Sequence, residues 1–479
     1  MNRPLDPGRR SGGLTDPLRL DAMRTVADPL ADDIAARIVG PWAVDPSADA
    51  ASVLAANGSR WERIASANRA IAAWSDNGQL ATWQPHGVAD PDVANALAEY
   101  LRAGAALPEW ADHAKIARAE ELFFDYGPLS CVLLFCASLP ECYVVPDLSA
   151  VLHASGQLEQ HTDYRVRMTA AMIFPVMMHG GLTTNDGGGI AQILKVRLIH
   201  ATIRNLILRG HPDDAPAAVA PLASPVPPKQ MHQVLFSHGW NVQQRGLPCN
   251  QEELAYTLLT FSYVFLRSLR QLNLALPNDD EEAYLHCWNV VGHVLGIRRE
   301  LMADTMADAE ALFNAMQARG CENPPTPDVR PALGQALIDA MASSITLPIV
   351  RHFPELMTAR LCGPQARSVG VDGHAPLSAK LLFAVTMGVA RVVDGVCRMR
   401  WPDFSISRLV TRIVGYHLLT TVLLDQTCPL TLPDHLLNRV DETMATWGED
   451  RKAPHWLNVV EDWLTTRGTW RHRRAAVRH

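Results

Sequence analysis

Residues Gln251 to Leu274 read QEELAYTLLTFSYVFLRSLRQLNL, and their spacing decides the fold class. Leu254, Leu258, Phe261, Val264, Phe265 and Leu269 return at three- and four-residue steps, the period of a helix with one face turned to a core. The same spacing recurs outward in both directions. Asp32 to Val39 sets Ile34, Ala35, Ile38 and Val39 on one face. Asp90 to Ala103 opens with helix-entry chemistry, since Asp90 can cap and Pro91 suits the first helical position. Asn278-Asp279-Asp280 is read as the cap of a helix that turns Tyr284, Trp288, Val291 and Leu295 inward. Alternating β-branched runs bounded by turn dipeptides hardly occur. The chain is expected to be nearly all α.

Irregular connections divide these helices unevenly. His211 to Lys229 ends in the proline-rich run Pro221 to Pro228, and Gly180 to Gly189 reads GGLTTNDGGG. Cys321 to Pro331 (CENPPTPDVRP) and Cys362 to Pro376 set off a C-terminal helical layer. Over 479 residues the chain is 48% hydrophobic and 19% charged, which excludes a disordered chain. Forty-three basic against fifty acidic residues leave a net charge of −7 and no electrostatic footprint for nucleic acid. The basic stretch Arg467 to His479 reads as a solvated terminus.

Nine scattered cysteines without a C-x-x-C pair read as reduced thiols of a cytoplasmic protein. Arg9-Arg10 is followed by no apolar run of signal length, because Asp16, Arg19, Asp21 and Arg24 interrupt it. The most apolar stretches, Leu129 to Leu139 and Ile413 to Leu424, fall short of the ~20 residues a spanning helix needs. No transmembrane segment is expected, and the expected location is the cytoplasm.

Chemistry is carried by fewer residues. Gly187-Gly188-Gly189 follows no strand and lacks a Lys-Ser/Thr close, so it is neither a P-loop nor a dinucleotide fingerprint; a flexible turn between two helices fits it better. No G-x-S-x-G, H-E-x-x-H or zinc-type cysteine pair occurs. In Lys195-Val-Arg-Leu-Ile-His-Ala-Thr-Ile-Arg204, Arg197 stands three residues before His200 and Arg204 four after, on a shared helix face beside Val196, Ile199 and Ile203. Such an imidazole suits an axial iron ligand with guanidiniums for anionic propionates; it equally suits a core histidine with satisfied nitrogens.

Arg165 and Thr169 share a face at i, i+4 and could orient bound oxygen or a polar cofactor edge, or serve only their own helix. His286 and His293, two turns apart, are too distant to chelate one metal from one straight helix. Met177-Met178-His179, just before the glycine turn, reads as packing.

Taken in order, these stretches resemble the MpaB/latex-clearing-protein superfamily of oxygenases. The segments that carry the resemblance are Leu107-Pro-Glu-Trp-Ala-Asp112, Arg118-Ala-Glu-Glu-Leu-Phe123, Tyr126-Gly-Pro-Leu-Ser130, Leu139-Pro-Glu-Cys-Tyr143 with Pro146, and Val151-Leu-His-Ala-Ser-Gly-Gln-Leu158. Arg165 to Thr169, Val196-Arg-Leu-Ile-His-Ala201, Ala283-Tyr-Leu-His-Cys-Trp288 and Gly292-His-Val-Leu-Gly296 complete the set. The resemblance implies that His200 is the metal ligand, the proximal ligand of haem b, and that Arg165 and Thr169 lie near the haem in catalytic positions. Arg197 and Arg204 are then candidates for cofactor binding, by pairing with the propionates or with the groups that surround the iron ligand.

Two departures stand out. Rubber-cleaving members carry a distal Lys immediately before the Thr, where this chain has Met168. They also carry a catalytic Glu upstream, where this chain reads Leu148-Ser149-Ala150-Val151, with Asp147 the nearest carboxylate.

The resemblance therefore implies an all-α protein, a single large helical domain with a globin-like haem-binding core. Residues 1–105 are an N-terminal helical extension, 106–320 the oxygenase-like core, and 321–479 a C-terminal helical layer. The implied activity is a haem-b-dependent oxygenase using O2 on an apolar, unsaturated small molecule. The alternatives are a non-catalytic haem-binding sensor or carrier of the same fold, and a helical protein with His200 packed in its core.

Overall fold

A computed structural model describes residues 13–400, apart from 46–47, 86, 155–161, 223–229, 322–326, 344 and 346–349. The side chains of 128, 154, 162–168 and 390–400 also lie outside the described set. The fold is all α. Among the described residues the β-structure is one antiparallel ladder pairing Ala218–Val219 with Trp240–Asn241.

Local chemistry sets several helix boundaries where the sequence places them. The Pro91–Gly104 helix starts with Pro91 at its first turn, and Asp90 accepts hydrogen bonds from the backbone N–H groups of Asp92 and Val93. The Pro29–Val39 helix starts the same way behind Asp28, with Ile34, Ala35, Ile38 and Val39 buried. Two expectations change. Gln251 to Leu274 is two helices, Gln251–Phe261 and Tyr263–Gln271, broken at Ser262. The Ser262 hydroxyl donates to the Leu258 carbonyl, the back-bonding by which serine bends a helix. The Asn278–Val294 helix has Pro277 at its cap position, so Asn278, Asp279 and Asp280 lie in its first turn, where the carboxylates of Asp279, Asp280 and Glu281 face the positive end of the helix dipole. Tyr284, Trp288, Val291 and Leu295 are buried as expected.

One core cluster runs from Leu14 to Phe383 and therefore includes helices from both flanks of the central segment. The Asn278–Val294 helix lies along His113–Tyr126, with Trp288 stacked on Phe261 at 5.6 Å between centroids. Arg118 closes that pair with a fork onto Asp280, Nε to Oδ1 and Nη2 to Oδ2, both 2.8 Å.

The central Gly189–Leu208 helix packs against Pro29–Val39, Thr162–Met177 and Met231–Ser237. All seven described cysteines are free thiols. Among the described residues no single helix is long and apolar enough to cross a membrane.

The glycine-rich turn is a cross-linked knot rather than a flexible joint. Asn77 donates from Nδ2 to the carbonyls of Gly181 and Thr184, both at 2.9 Å, and its Oδ1 accepts from Ile190 N–H at 3.1 Å. A Cβ on Gly187 would stand 2.3 Å from the Gly180 oxygen, so glycine is required for backbone approach. The knot fixes where the central helix begins.

Candidate active site

The central helix is enclosed almost all round. From Gly189 to Leu208 its half-buried positions are Val196, Ile199, His200, Thr202 and Ile203. Val196, Ile199, His200 and Ile203 fall at steps of three, one and three, so they form one stripe: three aliphatic side chains and an imidazole. Thr202 is occupied with its own helix, donating to the Leu198 carbonyl at 2.8 Å. The neighbouring Thr162–Met177 helix contributes the half-buried Thr169, Ala171 and Met172.

His200 has an unusual state for a histidine. Its Nδ1 is sealed from solvent and meets no hydrogen-bond partner among the described residues. Burial, reinforced by the positive charge of Arg204 and partly opposed by Asp28, pushes its pKa down to about 4. The ring is therefore neutral at physiological pH and holds a polar nitrogen without compensation. A buried polar atom left bare costs on the order of 1–3 kcal/mol, which a metal–ligand bond would offset.

Arg197 and Arg204 are committed elsewhere. Arg197 grips Asp28 with Nε to Oδ2 at 2.6 Å and Nη2 to Oδ1 at 2.7 Å, and donates from Nη1 to the Val294 carbonyl at 3.0 Å. Arg204, fully buried, pairs with Asp32 and donates to the carbonyls of Pro248 and Cys249. Asp28 N–H in turn donates to Asp32 Oδ2 at 2.9 Å. Two buried ion pairs thus clamp the central helix to Pro29–Val39. In this structure the charges and hydrogen-bonding edges of the two guanidiniums meet Asp28, Asp32 and three carbonyls.

The other sequence candidates fall as follows. Arg165 and Thr169 both lie on the Thr162–Met177 helix four residues apart, which places them on one face; the side chains of Arg165 and Met168 lie outside the described residues. Met177 and Met178 are core residues, and His179 is exposed, with Nδ1 3.8 Å from Glu120. His286 accepts the Asp112 N–H at 2.8 Å, and both His286 and His293 meet the Trp110 ring edge-on. Arg299 caps that ring from 4.8 Å. Among the described residues no group of three or more His, Cys, Asp or Glu could hold a metal ion by itself.

The all-α scaffold thus carries a neutral histidine with a bare buried nitrogen, His200, on an apolar helix face. Residues 132–392 match the family described as "ER-bound oxygenase mpaB/B'/Rubber oxygenase, catalytic domain", and the chain belongs to that family. Among curated proteins it is similar to the rubber oxygenase of Streptomyces sp. (strain K30), 23% identical over 283 residues. That match covers 58% of this chain and 62% of the Streptomyces protein, so it spans less than two thirds of that relative. Among solved structures it is similar to the Latex Clearing Protein LCP in the closed state, with a TM-score of 0.51 and 19% identity over 85% of this chain and 91% of the other. At that identity the likeness establishes the all-α fold. His200, Arg165 and Thr169 all lie inside the matched family domain.

One residue present has the chemistry to hold a haem. A neutral imidazole with a bare nitrogen on an apolar face has the donor chemistry of an axial ligand. The two arginines beside it are held in ion pairs with Asp28 and Asp32.

Proposed function

We propose that the protein is a haem-b-dependent oxygenase that uses O2 on an apolar, unsaturated small-molecule substrate. The observation that carries this reading is His200, neutral and with Nδ1 bare, on the half-buried apolar stripe of a helix inside the oxygenase family domain. Bound haem would supply the iron at which O2 is activated.

The chain's own residues account for the remainder. His200 would hold the iron through a neutral ring, and the Asp28–Arg197 and Asp32–Arg204 pairs would fix the helix that carries it. Val196, Ile199 and Ile203 offer no proton and no hydrogen bond, so they favour an apolar ligand and exclude water from the ring. Arg165 and Thr169, on the adjacent helix, would orient a polar edge of oxygen or substrate. A cytoplasmic location suits a small substrate better than a polymer.

Met168 and the Leu148-Ser149-Ala150-Val151 stretch also support a second reading, a haem-binding sensor or carrier that does not turn over. Both lack a proton-transfer group where rubber-cleaving members carry one.

Expression with a haem precursor tests the cofactor. A Soret band is expected, lost in His200→Ala while far-ultraviolet circular dichroism stays helical. Full haem occupancy in that variant overturns the ligand assignment. Oxygen consumption with unsaturated apolar substrates separates the oxygenase from the sensor.

A further inference from the structure

Lys195 is a buried cation without a counter-charge. It stands on the central helix, 7% exposed, and its Nζ makes one hydrogen bond, a long one of 3.4 Å to the Ala72 carbonyl. Among the described residues no carboxylate pairs with it, and burial unopposed by any negative charge pulls its pKa down to about 8. The nearest acid along the adjoining chain, Asp76, is occupied: Oδ1 accepts the Gln79 N–H at 2.8 Å and Oδ2 the Ser75 hydroxyl at 3.0 Å. A lysine enclosed to this degree is ordinarily paired, and one carbonyl serves one of its three donors.

A second unmet donor belongs to the same corner of the fold. Trp74, two residues past Ala72, is fully buried, and its Nε1–H meets no acceptor among the described residues. Its ring stacks on Tyr100 at 6.2 Å between centroids. The Tyr100 hydroxyl donates at 2.8 Å to the carbonyl of Leu194, the neighbour of Lys195. Trp83, half-buried, meets the Trp74 ring edge-on at 5.9 Å. Two donors thus stand among aromatic rings, and both are short of an acceptor. Ala72 and Ala73 are exposed, so the amine lies just beneath the surface.

We infer that Lys195 and Trp74 seat the carboxylate of an apolar acid, at a site separate from the one proposed for haem. A carboxylate brings the negative charge that Lys195 lacks and a second oxygen for the indole N–H. Hydrogen bonds between charged partners in an enclosed place are the strong ones. The rings of Trp74, Trp83 and Tyr100 suit an apolar body behind that carboxylate rather than a phosphate or a sugar. Lys195 precedes His200 by five residues, which sets the two roughly 140° apart round the helix. The charges that act on the His200 ring accordingly come from Arg204 and Asp28, not from Lys195.

Calorimetric titration of the full chain with decanoate, decan-1-ol and inorganic phosphate tests this. Decanoate is expected to bind one per chain, and decanol, with the same tail and no charge, at least tenfold more weakly. Lys195→Met should weaken decanoate at least tenfold and leave decanol unchanged, with helical content retained because a buried charge is removed. Trp74→Phe should weaken decanoate severalfold. Equal affinity for decanoate and decanol in the parent overturns the inference without recourse to any variant. So does the absence of decanoate binding, or an unchanged affinity in folded Lys195→Met. Phosphate bound more tightly than decanoate identifies an inorganic-anion site and overturns it as well. Haem loading is expected to leave decanoate affinity unchanged; displacement of decanoate by haem assigns Lys195 to a propionate and overturns the separate site. The decanoate titration needs no haem, so failure of the haem reading leaves its outcome standing.

Discussion

Asp28 and Arg197, 169 residues apart in the chain, meet in a two-pronged ion pair with both oxygens and two nitrogens engaged at 2.6 and 2.7 Å. Both side chains are nearly enclosed. Burying such a pair adds little stability by itself, because desolvation offsets the attraction, but removing one partner leaves a charge stranded. Asp28→Ala is therefore expected to cost about 3–5 kcal/mol, the range for breaking a buried pair. Arg197→Ala should cost a similar amount, and the double variant less than the sum of the two. Chemical denaturation of the four proteins checks this; additive losses would remove the pair from the account.

Gly296 stands against the same pair. Its φ is +87°, and a Cβ there would lie 2.4 Å from Asp28 Oδ2 and 2.7 Å from Arg197 Nε. Gly296→Ala thus combines backbone strain with a clash against groups that cannot retreat without breaking their hydrogen bonds. A loss of more than about 3 kcal/mol is expected, seen as a sharply lower denaturation midpoint or loss of soluble protein. An alanine variant within about 0.5 kcal/mol of the parent would show that the contact yields freely.

How far the sequence discloses this arrangement varies with distance along the chain. Asp90-Pro91 marks a helix start because the cap and the first turn are neighbours, and the structure places the helix there. His200 is legible as a face residue from its spacing with Val196, Ile199 and Ile203, and that stripe is the half-buried one. The partners of Arg197 and Arg204 are not legible in the same way, since Asp28 and Asp32 lie 169 and 172 residues away. A hint exists in the four-residue step from Asp28 to Asp32, which puts two carboxylates on one helix face opposite two arginines seven apart. The Asn77 knot depends on tertiary contacts and the break at Ser262 on a serine back-bond to Leu258, and an apolar period carries neither.

Glu253 supplies a pH signature independent of the cofactor. It is buried, and its Oε1 meets no hydrogen-bond partner among the described residues. Burial, with the negative charge of Asp147 adding to it, pushes the carboxyl from an ordinary value near 4.5 up to about 8. Between those values the folded protein holds a proton that the unfolded chain has released. Stability is therefore full below about pH 4.5 for this group and falls as pH rises to 8, by an amount on the order of a few kcal/mol. Glu253→Gln has no such proton to lose. Its melting temperature should track the parent's near pH 5 and pull ahead as pH approaches 8.5. A gap that does not change with pH would show that the group does not titrate in that window.

Arg165 and Thr169 give a prediction about chemistry rather than stability. They share one face of the Thr162–Met177 helix, beside the central helix, and neither is an iron ligand by type. Arg165→Ala and Thr169→Ala are expected to keep most of the haem while changing ligand affinity or turnover. Titration of the reduced protein with CO measures the first and oxygen uptake the second. Parent-like behaviour in both assays assigns the two residues to the scaffold.

The substrate prediction follows from Met168. Where the resembling rubber-cleaving members carry a lysine, this chain places a thioether that holds no proton and binds ferric iron weakly compared with an amine. The Leu148-Ser149-Ala150-Val151 stretch likewise offers no carboxylate to take a proton from an allylic carbon. Asp147, the nearest, is held by Arg24 at 3.3 Å with Arg245 at 4.0 Å. Burial raises its pKa, but both arginines favour the charged form and occupy its oxygens. Slow or no cleavage of polyisoprene is therefore expected, together with a distal side open to added ligands. Exogenous imidazole should shift the ferric spectrum at modest concentration, and Met168→Lys should raise the concentration required at least tenfold by restoring the amine that the resembling rubber-cleaving members carry there. Rapid release of carbonyl-ended isoprenoid fragments from latex, or a ferric spectrum that imidazole leaves unchanged in the parent protein, would overturn this reading of the distal side.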